Sequence, residues 1–94
     1  MPFQFNLTDR SGTIAAGGTA QQAAAANGPR RLLIIANPSE SATFLFRLDG
    51  TATGGFGDIS VGPGGAFVFD TIVPSGAVSI YGAITGQPFT VKEA

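Results

Sequence analysis

Cysteine, histidine and tryptophan are all absent from this chain of 94 residues, and charged side chains make up only 12% of it. Without cysteine there is no disulfide and no thiolate metal site, which is typical of proteins made in a reducing compartment. Without histidine or cysteine there is no imidazole base, no thiolate nucleophile and no ordinary zinc ligand set. Carboxylate chemistry is the one catalytic option that this composition leaves.

Positive charge is also scarce, with five basic residues against six acidic ones. Arg30 and Arg31 form the only adjacent basic pair, so the chain has no basic patch of the kind that binds nucleic acid or anionic lipid. A charged fraction of about half the usual share leaves much neutral surface, which suits contact with other proteins. The two arginines are either solvated residues at the start of a strand or partners for acids on a neighbouring subunit.

No apolar run is long enough to cross a membrane, since the longest, Leu32 to Ala36, has five residues. The first residues alternate in polarity and lack the basic start and apolar stretch of a signal peptide. We therefore expect a soluble protein made in the cytoplasm. Its length fits a single domain, residues 1–94, whose small core would gain stability from oligomerisation.

Alternation of apolar and polar residues is the main structural signal and predicts β-strands. Phe3, Phe5 and Leu7 share one face of a first strand, and a short return strand at 13–15 would complete a hairpin. The run from Arg31 to Ala36 is apolar after its first residue and predicts a central strand buried on both faces. Further strands are expected around residues 43–48, 59–61, 67–69, 77–81 and 89–91.

The segment 16–27 is ambiguous, because its alanines favour helix whereas Gly17 and Gly18 oppose it. We interpret 19–25 as a strand and keep one or two exposed helical turns as the alternative. Residues 1–28 as a whole form a possible N-terminal arm or hairpin. About eight short strands, separated by Gly/Pro turns and without a substantial helix, predict an all-β antiparallel sandwich or small barrel, and we favour the sandwich.

The stretch 49–57 contains four glycines in nine residues and predicts a mobile or wide loop. Its single aromatic residue, Phe56, either folds back onto the core or is exposed as an anchor for another protein. Phe3 is the other aromatic residue with a prospect of exposure. The residues predicted to contact a partner are Phe3, Phe5, Arg30, Arg31 and Phe56.

The six acidic residues are scattered over separate turns and strand ends, and no two have a spacing that would hold a substrate between them. No calcium-loop motif is present, and the glycine-rich tracts lack the ending of a phosphate-binding loop. We expect the acids to cap turns and to keep the surface soluble. The sequence thus predicts no enzyme, no catalytic residue, no cofactor and no metal site.

Several short motifs in the last two thirds of the chain occur in a recognisable order. They are the apolar strand before Asn37-Pro38-Ser39, the Phe-x-Phe strand before Asp49-Gly50-Thr51-Ala52, the turn Pro63-Gly64-Gly65, Val73-Pro74 with Gly76-Ala77-Val78, and Tyr81-Gly82-Ala83 running to the Phe-Thr-x-Lys-Glu ending. In this order and spacing the chain resembles small structural proteins of tailed-bacteriophage virions, and in particular head decoration, or cement, proteins.

The resemblance implies a small β-fold that sits on the capsid surface, commonly as a trimer, and braces neighbouring major capsid subunits. The expected partners are therefore the major capsid protein and copies of the chain itself, and the expected location is the virion. The first alternative is a receptor- or glycan-binding module of a phage fibre or tail, using the 49–57 loop. The second is a small hydrolase, which requires two acids distant in sequence to converge.

Overall fold

The computed structural model describes residues 7–94, which form nine β-strands and no helix. The strands are β1 (Thr8–Asp9), β2 (Gly12–Thr13), β3 (Gln21–Ala24), β4 (Leu33–Ala36), β5 (Phe44–Leu48), β6 (Ile59–Val61), β7 (Ala66–Phe69), β8 (Val78–Gly82) and β9 (Pro88–Glu93). Within this part of the chain, no helix is present that could span a bilayer.

The strands form two antiparallel sheets, as the alternation predicts. The first sheet has the order β1-β9-β4-β7, with β2 also paired to β9, and the second has the order β3-β8-β5-β6. The two sheets pack face to face as a β-sandwich, which confirms the predicted fold class. β6 and β7 are consecutive in sequence, and each is the edge strand of its own sheet.

The core lies between the sheets and consists of the residues that alternation directs inward. Its members, all buried, are Ile14, Ala24, Leu33, Ile35, Phe44, Phe46, Val61, Val78, Ile80, Phe89 and Val91. Two aromatic pairs join the sheets edge to face: Phe44 with Phe89, whose ring centres lie 6.4 Å apart, and Phe46 with Phe67, at 5.5 Å. The Phe-x-Phe pattern of β5 therefore supplies the aromatic centre of the sandwich.

The first strand of the predicted hairpin, with Phe3 and Phe5, lies outside the described residues, but the chain does not reverse where the turn of that hairpin was placed. β1 and β2 do not pair with each other but follow one another along β9, with Thr8 opposite Glu93 and Thr13 opposite Pro88 in one unbroken register. Arg10 continues the ladder by donating its N–H to the Val91 carbonyl. The stretch Asp9-Arg10-Ser11-Gly12, which lies between the two strands of the predicted hairpin, only interrupts a single edge strand.

The structure also settles two other strands. The alanine-rich segment contains β3, which pairs with β8 through a bulge between Gln22 and Ala24, so the strand interpretation is confirmed over the helical alternative. β4 is central, between β9 and β7, but it is not buried on both faces: Leu33 and Ile35 are buried, whereas Ile34 and Ala36 are only half-buried. The outer face of this sheet has no second layer among the described residues.

Candidate functional site

The glycine-rich loop between β5 and β6 lies across the outer face of the second sheet. The Ala52 N–H donates to Ser79 Oγ at 2.9 Å, which explains why an outward-facing serine of β8 is buried. Further along, Gly54 passes so close to Tyr81 that a Cβ atom would lie 2.7 Å from the ring, and its φ of +80° also favours glycine. The loop is thus packed on β8 at Ala52 and Gly54.

Asp58 holds the far end of this loop in place. Its carboxylate accepts hydrogen bonds from the N–H groups of Thr53 and Gly54, at 2.9 and 2.6 Å, and from Arg47 Nε at 2.8 Å. The Asp58 side chain is completely shielded from solvent, while that of Arg47 is about one-third exposed. Burial acts to raise the pKa of Asp58, but these hydrogen bonds and the arginine charge have the larger, opposite effect. The net pKa of Asp58 therefore lies below its usual value.

Phe56 lies at the tip of the loop, between these two anchored ends, and is fully exposed. Of the two alternatives left by the sequence, the structure shows exposure and not packing against the core. A large apolar side chain in water is unfavourable for an isolated chain, by roughly 1.5–3 kcal/mol relative to burial. Because the loop is fixed on both sides, it loses little conformational entropy when a partner covers Phe56. This is the arrangement of an interface anchor.

A second apolar area lies where β6 and β7 form the edges of their sheets. Ile59 and Phe67 point toward the interior but remain 40% and 37% exposed, since no further strand covers them within the described residues. Val68, on the outer face of β7, is 58% exposed. Phe67 packs edge to face on Phe46 of the core and still leaves more than a third of its surface exposed.

Arg30 is buried, and the prediction of a solvated residue at the strand start is wrong for it. Its Nε donates to Glu93 Oε1 at 2.8 Å, and its terminal nitrogens donate to the carbonyls of Ala25, Pro74 and Gly76. All of these partners belong to the same chain. The guanidinium therefore cross-links loops at one end of the sandwich, and we do not include Arg30 in a contact surface.

Glu93 is the centre of this buried network. Besides Arg30, it accepts hydrogen bonds from Asn27 at 3.1 Å and from Arg10 at 2.9 Å. Burial raises the pKa of Glu93, but the hydrogen bonds from Arg30, Asn27 and Arg10 and the charge of Arg30 outweigh it and lower the pKa to about 2. The expectation that the acids serve as surface and turn groups is thus wrong for Glu93 and incomplete for Asp58.

The remaining predicted contact residues have different outcomes. Arg31 is exposed, as a contact residue must be, and its backbone N–H donates to the Ala94 carbonyl. Phe3 and Phe5 lie outside the described residues. Between Leu7 and Ala94, no group of three or more acidic side chains is arranged to hold a metal ion.

A shallow cleft of about 230 Å³ lies beside the start of the glycine-rich loop. It is lined by Ala20, Gln21, Gln22, Gly50, Thr51, Ala77, Val78 and Ser79. Gln21 is held in place, since its amide accepts from the Ala15 N–H and donates to the Thr13 carbonyl. The cleft carries amide and hydroxyl groups and no charged side chain.

Sequence reasoning found Phe56 but missed the residues that present it. Asp58 follows directly after a glycine-rich stretch, where a carboxylate commonly accepts hydrogen bonds from nearby backbone N–H groups, and this position is the signal that points to it. Val68 gave no such signal, because the apolar run Ala66–Phe69 fits a central strand as well as an edge strand.

Scans against models of protein families, curated proteins and solved structures find no match to this chain.

Proposed function

We propose that this chain is a phage capsid decoration protein, which binds and bridges major capsid subunits and thereby stabilises the head. The observation that supports a binding role is the fully exposed Phe56 on a loop fixed by Asp58 and Tyr81. The choice of a capsid as the partner rests on the resemblance of the motifs between Leu32 and the C-terminus to head decoration proteins. The proposed role involves no chemical reaction and no cofactor.

The surface supports a mechanism in which many identical contacts add up. A single anchor such as Phe56 contributes on the order of 2 kcal/mol, which is too little for tight binding by one chain. On a symmetric capsid, however, copies that also touch each other bind as a set, and the effective concentration of each contact rises. The trimer implied by the resemblance would place three copies of Phe56 on one capsid-facing surface.

The test uses capsids assembled from the major capsid protein encoded with this chain, prepared with and without the protein. We expect decorated capsids to melt at a higher temperature and to resist osmotic rupture better, since each bound copy bridges subunits. Ile84→Ser protein, which loses a different exposed apolar side chain in the turn between β8 and β9, is the matched control and should stabilise like the wild type. Equal rupture resistance with and without the protein would contradict the bracing role.

A receptor- or glycan-binding module of a phage fibre or tail is the second candidate, and the cleft at Gln21, Gln22 and Thr51 favours it. Amides and hydroxyl groups are suitable partners for sugar hydroxyls. Fluorescently labelled protein distinguishes the two functions: it decorates host cells in the absence of capsids if this candidate is right, and it remains in solution if the chain is a decoration protein. Gln22→Ala should abolish the cell binding, because Gln22 is exposed in the cleft.

A further inference from the structure

The β7 strand (Ala66–Phe69) is a free edge of unusual composition. It pairs with β4 on one side, and no described strand lies on its other side. The strand is apolar over its whole length, has no proline and no bulge in its register, and most of it is exposed. Exposed edges of this kind present unpaired N–H and C=O groups to any strand that fits them.

The other described edges differ from β7 in ways that oppose strand addition. β1 and β2 are two residues each and are separated by charged Arg10. β3 carries a bulge between Gln22 and Ala24, and β6 has only three residues. Bulges, charges and short length are the features by which natural sheets avoid edge pairing. β7 is therefore the edge at which an added strand is expected.

We propose that β7 pairs antiparallel with β7 of a second copy of the chain, so that the first sheets of two sandwiches become one continuous sheet. The occupant is a second copy because β7 matches itself. With a two-fold axis at Val68, Val68 faces Val68 of the second copy on the outer side. On the inner side Phe67 faces Phe69 of the second copy, and this aromatic pair occurs twice.

Charge supports the same choice. No charged side chain lies within β7 or in the turn 62–65 that precedes it, and the first one after it, Asp70, would face Ala66 of the second copy. Thus no like charges are brought together between the paired strands. Aromatic and β-branched pairs opposite each other stabilise antiparallel strands more than Ala–Ala pairs do. The pairing would also cover Phe67 and Val68, which the isolated chain leaves exposed.

This contact does not rest on the proposed capsid role, because it involves only the chain itself. In the trimer implied by the resemblance, the same contact would join chains of neighbouring trimers. An isologous contact yields an even number of chains in either case. The free protein is therefore expected as a species of two chains, or of six if a three-fold contact forms as well.

The first experiment measures the mass of the isolated protein by sedimentation velocity over a range of concentrations. Wild type is expected to reach an even multiple of the 9.5 kDa chain mass. Val68→Lys should halve that multiple, since it places two positive charges opposite each other, and it leaves the core untouched because Val68 faces solvent. Ile84→Lys, the matched control, should keep the wild-type mass. A monomer at every concentration, an odd multiple, or an unchanged mass for Val68→Lys would overturn the proposal.

A second experiment reports the register and does not depend on a charged variant. The chain has no cysteine, so Val68→Cys introduces a single thiol. Directly opposite residues of an antiparallel pair have Cβ atoms about 4.5–5.5 Å apart, close to disulfide range. Mild oxidation should therefore convert most Val68→Cys protein to a covalent dimer, while Ile84→Cys chains should remain mainly without a cross-link. Equal cross-linking of the two variants would contradict the two-fold pairing at Val68.

Discussion

Arg30 and Glu93 form a buried ion pair, with Nε and Oε1 2.8 Å apart and each side chain at most 4% exposed. The pair ties the segment that precedes β4 to the end of β9, the last strand. The Arg30 guanidinium also donates to backbone carbonyls, and the Glu93 carboxylate accepts from three donors. Few buried polar atoms at this end of the sandwich are therefore left unpaired. Because the pair is satisfied so fully, its disruption should affect the whole fold.

Stability should therefore fall at acid pH, and Glu93 should account for much of the fall. Its pKa is lowered from 4.5 to about 2 in the folded chain, so its contribution is complete above about pH 5 and is lost as the pH falls toward 2. The shift corresponds to about 3 kcal/mol. Urea unfolding at pH 7, 5 and 2 measures it. Glu93→Gln should be less stable at pH 7 and should show a flatter pH dependence than Glu40→Gln, which alters an exposed acid.

Removing the Asp58 carboxylate should release the glycine-rich loop. In Asp58→Ala, the Thr53 and Gly54 N–H groups and Arg47 all lose their acceptor, at a cost of roughly 1–3 kcal/mol in the free energy of unfolding. Amide hydrogen exchange followed by NMR should show faster exchange at Thr53 and Gly54. If both amides exchange at the wild-type rate, the loop is fixed by its packing on Tyr81 and not by Asp58.

Gly17 should not tolerate a side chain. A Cβ atom there would overlap the backbone carbonyl of Ala83, so the segment between β2 and β3 must move away from β8. Gly17→Ala is expected to lower the free energy of unfolding by roughly 1–3 kcal/mol. Gly28→Ala is the matched control, since its Cβ would meet open space, and it should be neutral or slightly stabilising. Equal melting temperatures for the two variants would contradict the close approach at Gly17.

Capsid binding should depend little on ionic strength. The proposed anchor, Phe56, is apolar, and the chain carries a formal net charge of only −1. Screening weakens contacts between exposed charges and leaves apolar contacts nearly unchanged. Between 50 and 500 mM salt, the affinity of the wild type for capsids is expected to change by less than about threefold. A fall of a hundredfold would instead indicate an interface dominated by charge, with exposed Arg31 as the first residue to test.

The sequence predicted the fold class because strand alternation depends only on which residues avoid water. Phe44 and Phe46 carry that signal, and both are fully buried. Turn direction was less predictable: Asp9 accepts a hydrogen bond from the Ser11 N–H, yet the chain keeps its register along β9 instead of reversing. The residues of a short turn motif do not determine whether the chain reverses there or continues along the neighbouring strand.

The candidate site was predictable only in part. Phe56 stood out as one aromatic residue among glycines, but its exposure depends on the packing of the loop against Tyr81, which is distant in sequence. Arg30 stood out as a rare charge and was assigned to the surface, because a sequence pattern does not reveal a buried acid partner. Its partner, Glu93, is 63 residues away along the chain.

The most direct test of the proposed function is the equilibrium binding of Phe56→Ser protein to undecorated capsids. Since Phe56 is fully exposed, the variant should keep the wild-type melting temperature while its capsid affinity falls at least about tenfold. Ile84→Ser should bind like the wild type. Wild-type affinity for Phe56→Ser, or no saturable binding of the wild type to capsids, would contradict the account.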